Sequence, residues 1–157
     1  MELGLAIGLF AAAIAAILPG MGSAKAVGLA GETAAGVCAE TPEASSKLTL
    51  LQLLPATQGI YGFVIAIVIM AKIGIMGGSG AAVPVDKALM LLAAALPIAL
   101  VGYFSAIAQG KCAAGSMLMV GRRPEMQGKG MMMTAMVETY AVLALLISFL
   151  CVNAIVL

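Results

Sequence analysis

Four apolar stretches run through the chain, at 3–40, 48–76, 84–121 and 130–157. Each exceeds the ~20 residues a helix needs to cross a bilayer core. Polar punctuation separates them: AETPEASSK at 39–47, GGSGAAVPVDK at 77–87 and GRRPEMQGK at 121–129. A soluble domain cannot absorb this pattern. Hydrophobic residues make up 63% of the 157 residues and charged residues 10%, against about 45–50% and about 25% in soluble proteins. A chain of this size has too little interior to hide that much apolar surface from water. The reading is an all-α integral membrane protein with four transmembrane helices in two antiparallel hairpins. The first stretch does not read as a secretory signal, because its start carries Glu2 and no Lys or Arg.

What is missing narrows the chemistry. The chain has no His, which excludes His-based triads, His-liganded metals and imidazole acid–base work. Cys38, Cys112 and Cys151 are far apart and form no CxxC, so they read as small buried apolar residues. A net charge of +1, with no basic run, gives nucleic acid nothing to bind.

Slid along itself until Gly20 falls on Gly102, the chain matches its own second half without a gap. Ser23, Ala24, Ala26 and Gly28 then fall on Ser105, Ala106, Ala108 and Gly110. Pro42, Glu43 and Lys47 fall on Pro124, Glu125 and Lys129. The chain is a duplicated helical hairpin whose copies share one orientation. Its parts are a first hairpin at 1–76, an external linker at 77–86 and a second hairpin at 87–157. Lys47, Arg122, Arg123 and Lys129 flank the hairpin tips, whereas Lys72 and Lys87 flank the linker. That bias expects cytoplasmic tips and both termini outside.

Gly20, Ala24 and Gly28, and likewise Gly102, Ala106 and Gly110, recur every fourth residue. Gly31 and Ala113 extend these stripes. Such stripes let helix backbones approach closely in lipid. The second and fourth stretches are instead rich in large apolar side chains, which suggests the first and third helices inside and the others outside. A self-contained four-helix bundle is the alternative. Lys25 and Glu32 are expected to pair near the interface or to line a hydrated interior, as is Lys111, and the Met run at 131–133 is expected to face lipid or neighbouring helices.

Glu138 lies inside the run MMMTAMVETYAVLALLISFL. An acidic residue at mid-helix costs roughly 2.5–3.5 kcal/mol on insertion scales, which makes it a functional candidate. Counting from the tips gives its depth. Gln109 precedes Pro124 by as many positions as Thr57 follows Pro42, and Glu138 and Gln58 depart from that count by a single step each. At the helical rise all four sit roughly 20 Å from the tips. One carboxylate, two amide oxygens and a hydroxyl are hard donors, and a single negative charge suits a monovalent cation, since divalent sites recruit more carboxylates. Pro55 disturbs the second helix, so backbone oxygens can join, and Tyr61 is one turn on, within reach of the carboxylate. The competing reading is hydrogen-bonded glue between helices, with Glu138 protonated.

The segments LQLLPATQGIYGFVIA (51–66), FSAIAQGK (104–111) and AMVETYA (135–141) resemble the rotor-ring proteolipid of V-type ATPases, in the duplicated form of the bacterial sodium-transporting enzymes. The resemblance implies a homo-oligomeric ring in a cell membrane, with the first and third helices inside, turning as other subunits hydrolyse ATP. It implies a stator membrane subunit with an essential Arg and a central-stalk subunit as partners, besides membrane lipids. It further implies that Glu138 is the essential carboxylate of a Na⁺ site completed by Thr57, Gln58, Gln109 and the backbone carbonyl of Leu54, with Tyr61 locking Glu138. The chain itself would then perform no bond chemistry. A proton-coupled rotor, a self-contained small cation transporter and a structural proteolipid without ion turnover remain the alternatives.

Overall fold

The computed structural model describes residues 3–78 and 82–157. Glu2 and the middle of the linker expected at 77–86 lie outside the described residues. The elements are α1 (Leu3–Glu40), α2 (Ser45–Leu53), α3 (Thr57–Lys72), α4 (Val85–Arg122) and α5 (Gln127–Ala154). Single 3₁₀ turns occupy Pro42–Ala44, Leu54–Ala56, Ile75–Gly77 and Pro124–Met126. α2 and α3 form one span, so among the described residues four spans are long and apolar enough to cross a membrane: Leu3–Glu40, Pro42–Lys72, Val85–Arg122 and Pro124–Ala154.

The second and fourth spans begin earlier than the apolar stretches foretold. Pro42 and Pro124 each open a 3₁₀ turn that leads directly into helix, because proline's fixed φ suits a first helical position, where its missing N–H costs nothing. The polar residues 45–47 and 127–129 are thereby helical. α3 ends where Gly74 takes a left-handed φ of 77°, a conformation that glycine adopts without penalty.

α1 and α4 run parallel in close contact. A Cβ on Gly102 would meet Pro19 at 2.9 Å, and one on Gly110 would meet Ala26 at 2.7 Å. Side chains at these two positions would drive the helices apart, so the second-copy stripe is an intrachain seam. The first-copy stripe differs: Gly20 and Gly28 have no such neighbour within 4 Å. A self-contained bundle would bury both stripes; this chain leaves Ala24 and Gly28 exposed, although Gly31 lies against the Gln52 side chain. α5 packs antiparallel to α4, and α3 antiparallel to α1, through Ser148 and Ser23 among others. Ser148 Oγ accepts the Ile98 N–H at 3.1 Å, next to Pro97, which interrupts the α4 ladder.

Burial grades the spans. The apolar window of the third is 44% buried within the chain and that of the fourth 22%, so α4 is central and α5 peripheral. Met132, Met133, Met136, Leu143, Leu146 and Leu150 are exposed along α5, consistent with a surface for lipid or neighbouring helices. Lys47 Nζ donates to the Pro124 carbonyl at 3.3 Å, which sets the two hairpin tips side by side. At the other end Lys72 Nζ donates to the Asn153 carbonyl at 3.1 Å. Lys25 does not make the charge pair that was one of its two expected arrangements: its Nζ donates to the Tyr103 hydroxyl at 3.1 Å and lies 5.4 Å from that ring's centre, and among the described residues no ion pair joins it to Glu32.

Candidate ion-binding site

The second span is broken at mid-depth, and the break builds half of the site. Pro55 has no N–H to extend the helix that precedes it, and the backbone tightens into the 3₁₀ turn Leu54–Ala56 before α3 begins. The Leu54 carbonyl then accepts the Thr57 N–H and also the Thr57 hydroxyl, at 3.0 Å. Thr57 Oγ1 lies 3.4 Å from Gln58 Oε1. Three uncharged oxygens therefore cluster within one turn. Calcium, a cation close to Na⁺ in size, binds oxygens at about 2.3–2.6 Å; ligands at right angles around such an ion are about 3.3–3.7 Å apart. The observed spacings need only small movements to share one.

α4 contributes Gln109, fully buried against Gln58. Gln58 Nε2 donates to Gln109 Oε1, and Gln109 Nε2 donates to the Thr134 carbonyl of α5 at 3.1 Å. This relay fixes which end of each amide faces which way. Turning either over would set N–H against N–H or oxygen against oxygen in a buried space. Gln58 spends its amino group on Gln109, so its oxygen is left toward Thr57.

α5 contributes Glu138, which the Tyr61 hydroxyl of α3 holds by a hydrogen bond to Oε1. The carboxylate is half-buried, beside a shallow groove lined by Ala135, Thr139, Val142 and Leu143. The structure thus brings the sequence-selected residues into two adjoining groups. Leu54, Thr57, Gln58 and Gln109 form one, and Tyr61 with Glu138 forms the other. Among the described residues, no hydrogen bond joins the carboxylate directly to Thr57, Gln58 or Gln109. The two groups meet along α3, where Thr57 and Tyr61 share a face one turn apart, and along α5, where Thr134 precedes Glu138 by one turn.

Thr134 escaped the reading by residue type. Its side chain is occupied with the Gly130 carbonyl at 2.8 Å and lies 3.4 Å from Ser116 Oγ; what it gives the site is a backbone oxygen. A backbone contact leaves no mark in the sequence. The available signal was its depth, between Pro124 and Glu138 and one helical turn short of the latter.

Comparison with known proteins bears on the same residues. The family of the ATP synthase C subunit matches residues 10–69 and again residues 92–151. The chain belongs to that family. It carries the family's unit twice, and the shift from the first match to the second is the one that lays Gly20 on Gly102. It is similar to the V-type sodium ATPase subunit K of Enterococcus hirae, 46% identical over 149 residues covering 95% of this chain and 92% of that protein. It is also similar to the A-type ATP synthase subunit K of Methanocaldococcus jannaschii, 36% identical over 142 residues covering 90% of this chain and 61% of that protein. Both matched units take in the mid-depth residues described above: Thr57, Gln58 and Tyr61 in the first, Gln109, Thr134 and Glu138 in the second.

Proposed function

We propose that this chain is the rotor-ring subunit of a rotary V-type ATPase and that it carries Na⁺ across the membrane, one ion per Glu138. The observation that carries the reading is the gathering of the Leu54 carbonyl, Thr57 Oγ1 and the Gln58 and Gln109 amides at the level of one intramembrane carboxylate. A proton needs only the carboxylate. A cation stripped of its water needs the additional oxygens, and these are present, with Gln58 and Gln109 fully buried and Leu54 and Thr57 partly so. Similarity to a subunit named for a sodium ATPase points the same way.

In this reading the Leu54 carbonyl, Thr57, Gln58, Gln109 and Glu138 replace the hydration shell of Na⁺. The single negative charge of Glu138 makes the filled site neutral, and a neutral site can face lipid where a charged one cannot. Tyr61 holds the carboxylate closed over the ion. Release requires Glu138 to swing toward the groove at Ala135 and Leu143, where an Arg from a stator subunit in the membrane takes the place of the ion. Moving one ion against 100 mV requires about 2.3 kcal/mol, supplied by ATP hydrolysis in other subunits through a central stalk; the chain itself breaks no bonds. Identical copies form the ring, with the hairpins 1–76 and 87–157 spanning a cell membrane, the tips cytoplasmic and the linker 77–86 outside with both termini.

ATP-driven uptake of ²²Na⁺ into inverted vesicles bearing the whole complex tests this. Glu138→Gln is expected to abolish uptake while rings of normal size persist. Uptake of protons in place of Na⁺, with the same mutational loss, would replace the sodium reading by the proton-coupled rotor.

A further inference from the structure

α3 follows directly on the 3₁₀ turn, and the Leu54 carbonyl takes its first N–H, that of Thr57, but no side chain of the flanking sequence caps it. Its N-cap residue is Ala56, which has no side-chain oxygen to offer. The first N–H groups of any helix lack partners within it, and in hydrocarbon there is no water to take them. The N–H of Gly59, third residue of α3, is taken instead by Ser23 Oγ of α1, at 2.9 Å. Ser23 is 7% exposed, so nothing outside the chain competes for that bond. The absence of a side chain at Gly59 allows the approach, since a Cβ there would already lie 3.3 Å from Ser23 Cβ and Oγ.

The duplication supplies a control within the same molecule. Ser105 is the counterpart of Ser23 in the second copy, yet its hydroxyl donates to the Gly102 carbonyl of its own helix at 3.3 Å. The counterpart of Gly59 is Ala141, in the interior of the unbroken α5. The serine bridges two helices only in the half of the chain whose second span is broken. Thr57 and Gln58, the two residues immediately before the bridged N–H, carry oxygens of the ion site.

We propose that Ser23 is a positioning residue for ion binding: it caps the broken span from a different helix and holds the turn from Leu54 to Gly59, so that the oxygens of Leu54, Thr57 and Gln58 face one point. This rests on the sodium reading above and extends it to a side chain that touches no ion.

The test uses intact purified rings of the wild type, Ser23→Ala, Ser23→Thr and Ser105→Ala. Ser→Ala removes one oxygen and adds no bulk, so assembly is expected to persist. Two quantities are read: hydrogen–deuterium exchange in the peptide containing Gly59, and the Na⁺ concentration that half-protects Glu138 from a carbodiimide. Ser23→Ala is expected to speed exchange at Gly59 and to raise the protecting concentration roughly three- to tenfold, the size that loss of one neutral hydrogen bond produces. Ser23→Thr, which keeps the hydroxyl, should restore both, and Ser105→Ala should change neither. Unchanged exchange in Ser23→Ala overturns the cap. Faster exchange with unchanged protection overturns the positioning role, as does a failure of Ser23→Thr to rescue. If the wild type itself shows no protection by Na⁺, the sodium reading falls and takes the positioning role with it, a result distinct from protection that is present and indifferent to Ser23.

Discussion

The Tyr61 hydroxyl donates a hydrogen bond to Oε1 of Glu138, joining α3 to α5 and the first half of the duplication to the second. Hydrogen bonds to a charged acceptor contribute about 1.5–3 kcal/mol, and at this half-buried position the lower end applies. Tyr61→Phe keeps the ring and removes the bond. The Na⁺ concentration that half-protects Glu138 should rise about tenfold, with rings still assembled. An unchanged protecting concentration would show that the carboxylate does not depend on Tyr61.

The two glycine stripes should respond differently to the same substitution. At Gly110 even a Cβ would meet the Ala26 backbone at 2.7 Å, and helix backbones cannot yield as a flexible side chain can. Gly110→Leu should exceed the usual cost of overpacking, about 1–3 kcal/mol, and prevent the chain from folding at all, read as loss of the protein from the membrane. Gly28 faces open space, so Gly28→Leu should leave the folded chain in the membrane and block its assembly into rings. Normal-sized rings from Gly28→Leu would mean that this open stripe is not where copies meet.

The hydrogen bond from Lys47 to the Pro124 carbonyl brings the tips together, and this gives topology a direct check. Cysteines placed at Ser45 and Gln127, with Cys38, Cys112 and Cys151 replaced, should react with an impermeant maleimide from the same side of the membrane. From the basic residues near the tips, that side is expected to be the cytoplasm. Reaction from opposite sides would break the four-span arrangement itself.

Much of this was legible because helices convert counting into depth. The match of Gly20 to Gly102 and of Pro42 to Pro124 fixed the duplication, and near-equal distances from the two prolines placed Thr57, Gln58, Gln109 and Glu138 at one level. Counting fixes height along an axis but not rotation about it. For that reason the sequence placed Gln109 and Glu138 together, whereas the structure gives Gln109 to Gln58 and Thr134 and leaves Glu138 to Tyr61. The bridge from Ser23 to Gly59 was hidden for a related cause. Ser23 and Ser105 are the same residue in the two copies, and only the helix break beside one of them decides what it bonds. Of the two arrangements expected for Lys25 and Glu32, the pairing is not formed, on the same ground, since Lys25 turns to Tyr103 of α4 and not along its own helix.

The ion itself can be tested at the carboxylate. A carbodiimide attacks a carboxyl group in its protonated form, and a Na⁺ coordinated by Glu138 keeps that group ionised and shielded. Labelling of Glu138 should therefore fall as Na⁺ rises at fixed pH, and K⁺ at equal ionic strength should not substitute. Raising the pH slows labelling whether or not Na⁺ binds, so pH dependence alone does not discriminate. Thr57→Ala and Gln109→Ala each remove one oxygen from the proposed shell, and each should raise the protecting Na⁺ concentration by about tenfold or more, at roughly 1.4 kcal/mol per decade. Gln109→Ala should have the larger effect, because it also strands the Gln58 amino group that Gln109 now satisfies, and a buried group left unpaired costs more than the bond itself. Should Na⁺ protect equally well in all three proteins, these oxygens are not its ligands. Should it protect in none, the site carries a proton, and the clustered oxygens serve only to hold the helices together.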